Sequence, residues 1–187
     1  MKNTSVFVFA CLVLGGCFPS SQDLYDLTPR FKTTESSVLF FRNTRSVFYD
    51  FTEKPEASIE IFRPKTPTAT PDKPGYTWFI AYNRLQSKAL VFFELTPALA
   101  KDPCTQVQWH WTKPDGAKES VATFSCPSIH PEENFQFLVR SYRQIEAGRE
   151  PMIRLSSGLL VPMFHDEENQ RRFLRLVRDF LELVDLV

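Results

Sequence analysis

The side chains able to do chemistry are few and scattered. Histidine occurs at His110, His130 and His165, and cysteine at Cys11, Cys17, Cys104 and Cys126. No His-Glu-x-x-His pair, no Gly-x-Ser-x-Gly elbow and no phosphate-cradling glycine loop occurs anywhere in the chain. His165-Asp166-Glu167-Glu168 gathers four metal-capable side chains. Acids at a helix start already complement the positive end of the dipole, so a metal is not needed to account for them. These residues assign no catalytic group, no metal and no cofactor.

The cysteines are more informative. Lys2 precedes an apolar run, Val6 to Leu14, that ends in Gly15, Gly16 and Cys17. A charged start, an apolar centre and small residues form the pattern of an export signal. The run is too short for a membrane span, which needs about 20 apolar residues. Leu14-Gly15-Gly16-Cys17 resembles the lipobox of bacterial lipoproteins, with Gly15 where Ser, Ala or Thr is more usual. The resemblance implies a signal peptide over 1–16, cleavage before Cys17, and diacylglycerol and fatty-acyl (palmitate-type) chains on that cysteine. Two or more chains anchor a protein stably where one does not. Phe18 follows the cysteine, not Asp, and the family's sorting rule then implies the outer membrane, with the periplasmic side favoured over the cell surface. Export leaves Cys104 and Cys126 as one even pair in an oxidising compartment, where a disulfide is expected.

The elements behind these residues read as one domain. Residues 17–36 show no sustained period and read as a lipidated tether, and 37–187 as a single globular domain. Val38 to Phe41 and Ser46 to Phe51 read as strands, the second with Val47, Tyr49 and Phe51 on one face. Ile59 and Ile61 alternate with Ser58 and Glu60. Pro64, Pro67, Pro71 and Pro74 mark a stiff loop rather than a polyproline ligand. Tyr76, Trp78, Ile80 and Tyr82 share one strand face. On the next strand Ala89, Val91, Phe93 and Leu95 share a face, and Leu90 and Phe92 make the other face apolar too. Such a strand is expected to be central and covered on both sides, the second by a helix.

Thr105 to Thr112 and Ser120 to Ser125 form a hairpin around Pro114-Asp115-Gly116. Symmetry about Asp115 sets Cys104 opposite Cys126 at its open end. Val107, Trp109 and Trp111 share the face opposite Gln106, Gln108 and His110. That face is the buried one if the Gln side is wet. If exposed, Trp109 and Trp111 with His110 would form an aromatic ledge for a partner. A helix follows from Glu132 to Ala147, then two short strands within Met152 to Phe164. A last helix runs from Glu167 with Asp166 as its cap and a wide apolar stripe. Its arginines each have an acid four residues away, Glu167–Arg171, Glu168–Arg172, Arg175–Asp179 and Arg178–Glu182, the pattern of a solvated helix face. The expected class is α+β: a mostly antiparallel sheet or partly open barrel, followed by late amphipathic helices packed on it.

Composition narrows the function classes. Twenty-two basic residues balance 22 acidic ones, which argues against a nucleic-acid partner. The chain holds 18 Phe and 3 Trp, a large apolar load without a catalytic motif. The leading expectation is a non-catalytic lipoprotein, held to the membrane through Cys17, that binds another envelope protein or supports an assembly. The alternatives are a carrier of a lipid or other apolar ligand between sheet and helices, and an envelope hydrolase. Cys17→Ala is expected to abolish lipidation and processing at that site. Labelled palmitate entering the variant would contradict the lipobox.

Overall fold

A computed structural model describes residues 28–65, 71–113 and 115–187. Cys17 and the signal region therefore lie outside the described residues, as do Pro67 and Pro114. The order is α1 (Glu35–Phe40), β1 (Tyr49–Lys54), β2 (Ile59–Pro64), β3 (Tyr76–Asn83), β4 (Lys88–Leu95), α2 (Pro97–Lys101), β5 (Cys104–Thr112), β6 (Lys118–Phe124), α3 (Pro131–Glu146), β7 (Glu150–Leu155), β8 (Leu160–Pro162) and α4 (Glu167–Leu183). Among the described residues the strands form two antiparallel four-stranded sheets, neither closed into a barrel. Sheet A runs β1-β2-β3-β4 and sheet B β6-β5-β7-β8. The class is α+β, as the order of patterns implies, with one early helix besides the late ones.

That early helix corrects the reading of residues 38–48. Thr34 and Ser37 cap each other's backbone, Ser37 N–H to Thr34 Oγ1 at 3.1 Å and Thr34 N–H to Ser37 Oγ at 3.1 Å, and α1 starts there. Val38 and Phe41, three apart, point inward and are buried. The chain continues as a π turn, Phe41–Arg45, and a 3₁₀ turn, Ser46–Phe48, before β1 begins. Val47 accordingly falls in the turn and lies exposed, whereas Phe51 keeps the Tyr49 side of β1, its ring 5.4 Å from Phe62, but is not buried. The described part of the expected tether is also pinned. Ala89 N–H donates to Phe31 C=O at 2.8 Å, and Thr33 N–H to Ser87 C=O at 2.8 Å, along the free side of β4.

The inner face of sheet A carries Tyr76, Trp78, Ile80, Tyr82, Ala89 and Val91, all buried. α3 and α4 pack on it. The Trp78 ring stacks on Phe137 of α3 at 5.7 Å and meets Phe173 of α4 at 5.6 Å. Asp166 caps α4 by accepting from Asn169 N–H at 2.7 Å, and the stripe Phe173, Leu176, Val177, Phe180, Leu183 and Val184 is buried. Each such side chain contributes about 1.5–3 kcal/mol when removed from water, so closing this layer is the main source of stability.

The hairpin of sheet B has the expected register near its turn: Thr112 faces Lys118, Trp111 Glu119 and His110 Ser120. A bulge between Trp109 and His110 then shifts the pairing by one, so that Trp109 faces Ala122. Cys104 and Cys126 form the disulfide, with Cα atoms 6.1 Å apart. Closing a loop of that length is worth about 3 kcal/mol in the chain-entropy model.

Candidate functional site

Sheet A is apolar on its second side as well. Register fixes which residues share that outer face. Thr52, Ile61, Ala81 and Leu90 form one row across the four strands. Phe79 sits opposite Phe92, their rings 5.8 Å apart and nearly parallel. Ile59 flanks them between Lys54 and Asn83. Ile59, Ile61, Phe79, Ala81, Leu90 and Phe92 are all half-buried, none fully covered. The helices packed on sheet A reach it through its inner aromatic residues, and no described helix lies over this side. The covering helix expected over Leu90 and Phe92 is therefore absent among the described residues, and β4 is an edge strand rather than a central one.

A polar rim bounds the face. The Arg63 guanidinium lies 4.6 Å over the Phe79 ring and pairs with Glu94 at 2.7 Å. Asp50, Arg63, Lys65, Thr77 and Glu94 line a shallow cavity of about 320 Å³ at that end. An apolar centre inside a charged rim is the anatomy of a protein–protein patch.

The parity of β2 puts Ile59 and Ile61 on the outer face. Phe62 turns inward onto Phe41, ring centroids 4.9 Å apart, and Glu60 must then turn inward too. Arg42 meets the Glu60 carboxylate at 2.6 Å, with Arg84 at 3.7 Å. A buried carboxylate is tolerable only with such partners. Three residues on, Arg45 lies 3.3 Å from the Asp179 carboxylate of α4 and 3.0 Å from that of Glu182. The Tyr49 hydroxyl donates to Asp179 at 2.7 Å. The two arginines of the π turn thus tie it to both the sheet and the last helix.

Along α4 the expected charge ladder is joined by contacts to other elements, with Arg175 still acting on Asp179 and Glu182 on Arg178 through their charges. Glu168 pairs with Arg172 at 3.2 Å and with Arg171 at 3.0 Å. Arg175 also stacks on Phe48, 4.4 Å from its ring centre. Arg178 donates to the Tyr142 hydroxyl at 3.2 Å. Asp179 and Glu182 serve Arg45.

The aromatic ledge is not assembled. Trp109 is fully buried, so no partner can reach it; Val107 beside it is equally buried. Trp111, beyond the bulge, is 48% exposed, and His110 is half-buried on the opposite side of the strand. Among the described residues no group of three or more His, Cys, Asp or Glu is placed to hold a metal. The sequence did signal the outer face: Leu90 and Phe92 were apolar on the second side of their strand. The pattern of one strand cannot tell a covered second face from an open one.

No protein-family model, curated protein or solved structure matches this chain.

Burial raises the Asp179 carboxyl from an ordinary 3.8 to about 6, against the opposing pull of the Tyr49 hydrogen bond and Arg45. The same burial, with the Asp179 charge, raises the Tyr49 phenol well above its ordinary value. A raised carboxyl binds its proton more tightly in the native state. Its contribution is most favourable below about pH 4 and is lost as pH rises through about 6. Asp179→Asn keeps an acceptor for Tyr49 and leaves Arg45 its contact with Glu182. The variant is expected to gain stability relative to wild type, by about 1–3 kcal/mol, as pH rises from 5 to 7.5. Melting curves across that range that run parallel would contradict this.

Proposed function

We propose that the chain is an envelope lipoprotein, anchored through Cys17 on the periplasmic side of the outer membrane, that binds another envelope protein on the outer face of sheet A. The observation that carries this reading is the group of half-buried Ile61, Phe79, Leu90 and Phe92 on the face of sheet A away from α3 and α4. A solvated antiparallel sheet ordinarily alternates apolar-in with polar-out. Here both sides are apolar, and an apolar patch of that kind on a soluble domain marks an interaction site. No described helix is long and apolar enough to cross a membrane, so the reading leaves anchoring to Cys17.

The interior favours a surface function over a carrier. An acyl chain needs a pocket that encloses most of it. Between sheet A and its helices the Trp78 ring meets those of Phe93, Phe137 and Phe173. The described cavities, about 220 to 410 Å³, sit at the surface among charged side chains such as Arg140, Arg172 and Glu132.

Cross-linking in intact envelopes tests the reading. Phe92→Glu is expected to lose a discrete cross-linked neighbour while melting close to wild type, and Trp111→Glu to retain it. Retention by Phe92→Glu, or loss in Trp111→Glu alone, would place the interface elsewhere. A lipid held one-to-one in native mass spectrometry of the purified chain would favour the carrier.

A further inference from the structure

The unpaired side of β1 carries an inference that does not depend on what docks on the outer face. β1 ends its sheet, and no strand among the described residues pairs with its far side. The opposite edge, β4, is met by residues 31–33. From Asp50 to Lys54 every β1 residue is exposed. An unpaired edge offers a row of backbone N–H and C=O groups to another strand. We propose that a second copy of this chain fills that row. The two β1 strands run antiparallel about a two-fold axis at Thr52, so that Asp50 of each copy faces Lys54 of the other.

Register selects this arrangement. When two sheets continue one another with their faces kept on the same sides, residues directly opposite share a face. The two-fold axis must then sit at a residue. At Asp50 it opposes two aspartates, and at Glu53 two glutamates; like charges directly opposite are unfavourable. At Phe51 it brings Lys54 against Phe48, which belongs to the 3₁₀ turn and not to the strand. At Thr52 it opposes Thr52 to Thr52 and Phe51 to Glu53 and makes two Asp50–Lys54 pairs, with no like charges opposed and the Thr52 and Asp50–Lys54 pairs favoured.

The side chains are free to make these pairs. Glu53 is engaged by Arg84 at 2.6 Å, whereas neither Asp50 nor Lys54 has an ion pair among the described residues. On the inner side the two Phe51 rings become diagonal neighbours, within reach of each other. Phe51 is 55% exposed in the single chain, and the pairing covers it. On the outer side the row Thr52, Ile61, Ala81 and Leu90 continues into its copy, which doubles the width of the apolar face.

Cysteine cross-linking tests the register. Facing residues in an antiparallel pair have Cα atoms about 4.5–5.5 Å apart, inside disulfide range. Thr52→Cys in the otherwise unchanged full chain, oxidised mildly in detergent extract, is expected to run as a covalent dimer on a non-reducing gel. Wild type beside it sets the background from Cys11 and Cys17. In sedimentation, Asp50→Lys is expected to weaken association on the order of ten-fold, and Asp50→Lys with Lys54→Asp to restore it. A Thr52→Cys chain at the wild-type background overturns the proposal. So does cross-linking through Phe51→Cys in its place, or a double exchange that fails to restore association.

Discussion

Sheet A has two apolar faces, and the described helices cover one. Trp78, Ile80, Ala89 and Val91 fill the inner face at or near zero exposure, and α3 and α4 spend their apolar stripes there. α2 is one short turn-and-a-half beside β4. Sheet B stands alongside, joined to sheet A mainly through α3, which touches both β4 and β7. With the described long helices, α3 and α4, committed to the inner side, Ile61, Phe79, Leu90 and Phe92 stay half-buried with no described helix to cover them. Exposed apolar area costs about 25 cal/mol per Å², and covering it by a partner recovers that cost.

The position of β1 follows from the ionic ties beneath it. Arg42 and Arg45 lie on successive sides of the π turn and reach Glu60 in the sheet and Asp179 and Glu182 in α4. Ser37 adds a hydrogen bond from its hydroxyl to Leu183 C=O at 2.7 Å. Buried ion pairs of this sort contribute little net stability and are better regarded as fixing one arrangement among several. Here the arrangement sets where the helical segment ends and β1 begins. Among the described residues it also leaves the far side of β1 without a strand and Asp50 and Lys54 without an ion pair.

Much of the fold was legible where a single period ran long enough. β3 alternates over eight residues, α4 has its cap and stripe, and the β5–β6 turn fixed the disulfide partners. The bulge at Trp109/His110 was not legible, because an unpaired residue leaves no mark in composition. Residues 38–41 failed because four apolar residues in a row fit a strand and a helix equally. Thr34 and Ser37, three apart, were the overlooked start signal. The burial of Glu60 left no local signal, because its partners, Arg42 and Arg84, are distant in sequence. Of the candidate site, Leu90 and Phe92 were visible as a second apolar face; that nothing described covers them is a tertiary fact no local pattern carries.

Hydroxyl-radical footprinting tests the open face most directly. Oxidation of Phe79, Leu90 and Phe92 is measured in the purified chain and in intact envelopes, with buried Phe41 and Phe173 as internal references. The three face residues are expected to oxidise in the purified chain and to be protected in envelopes, while the references stay protected in both. Equal oxidation of the face in the two settings, or protection already complete in the purified chain, would contradict the account.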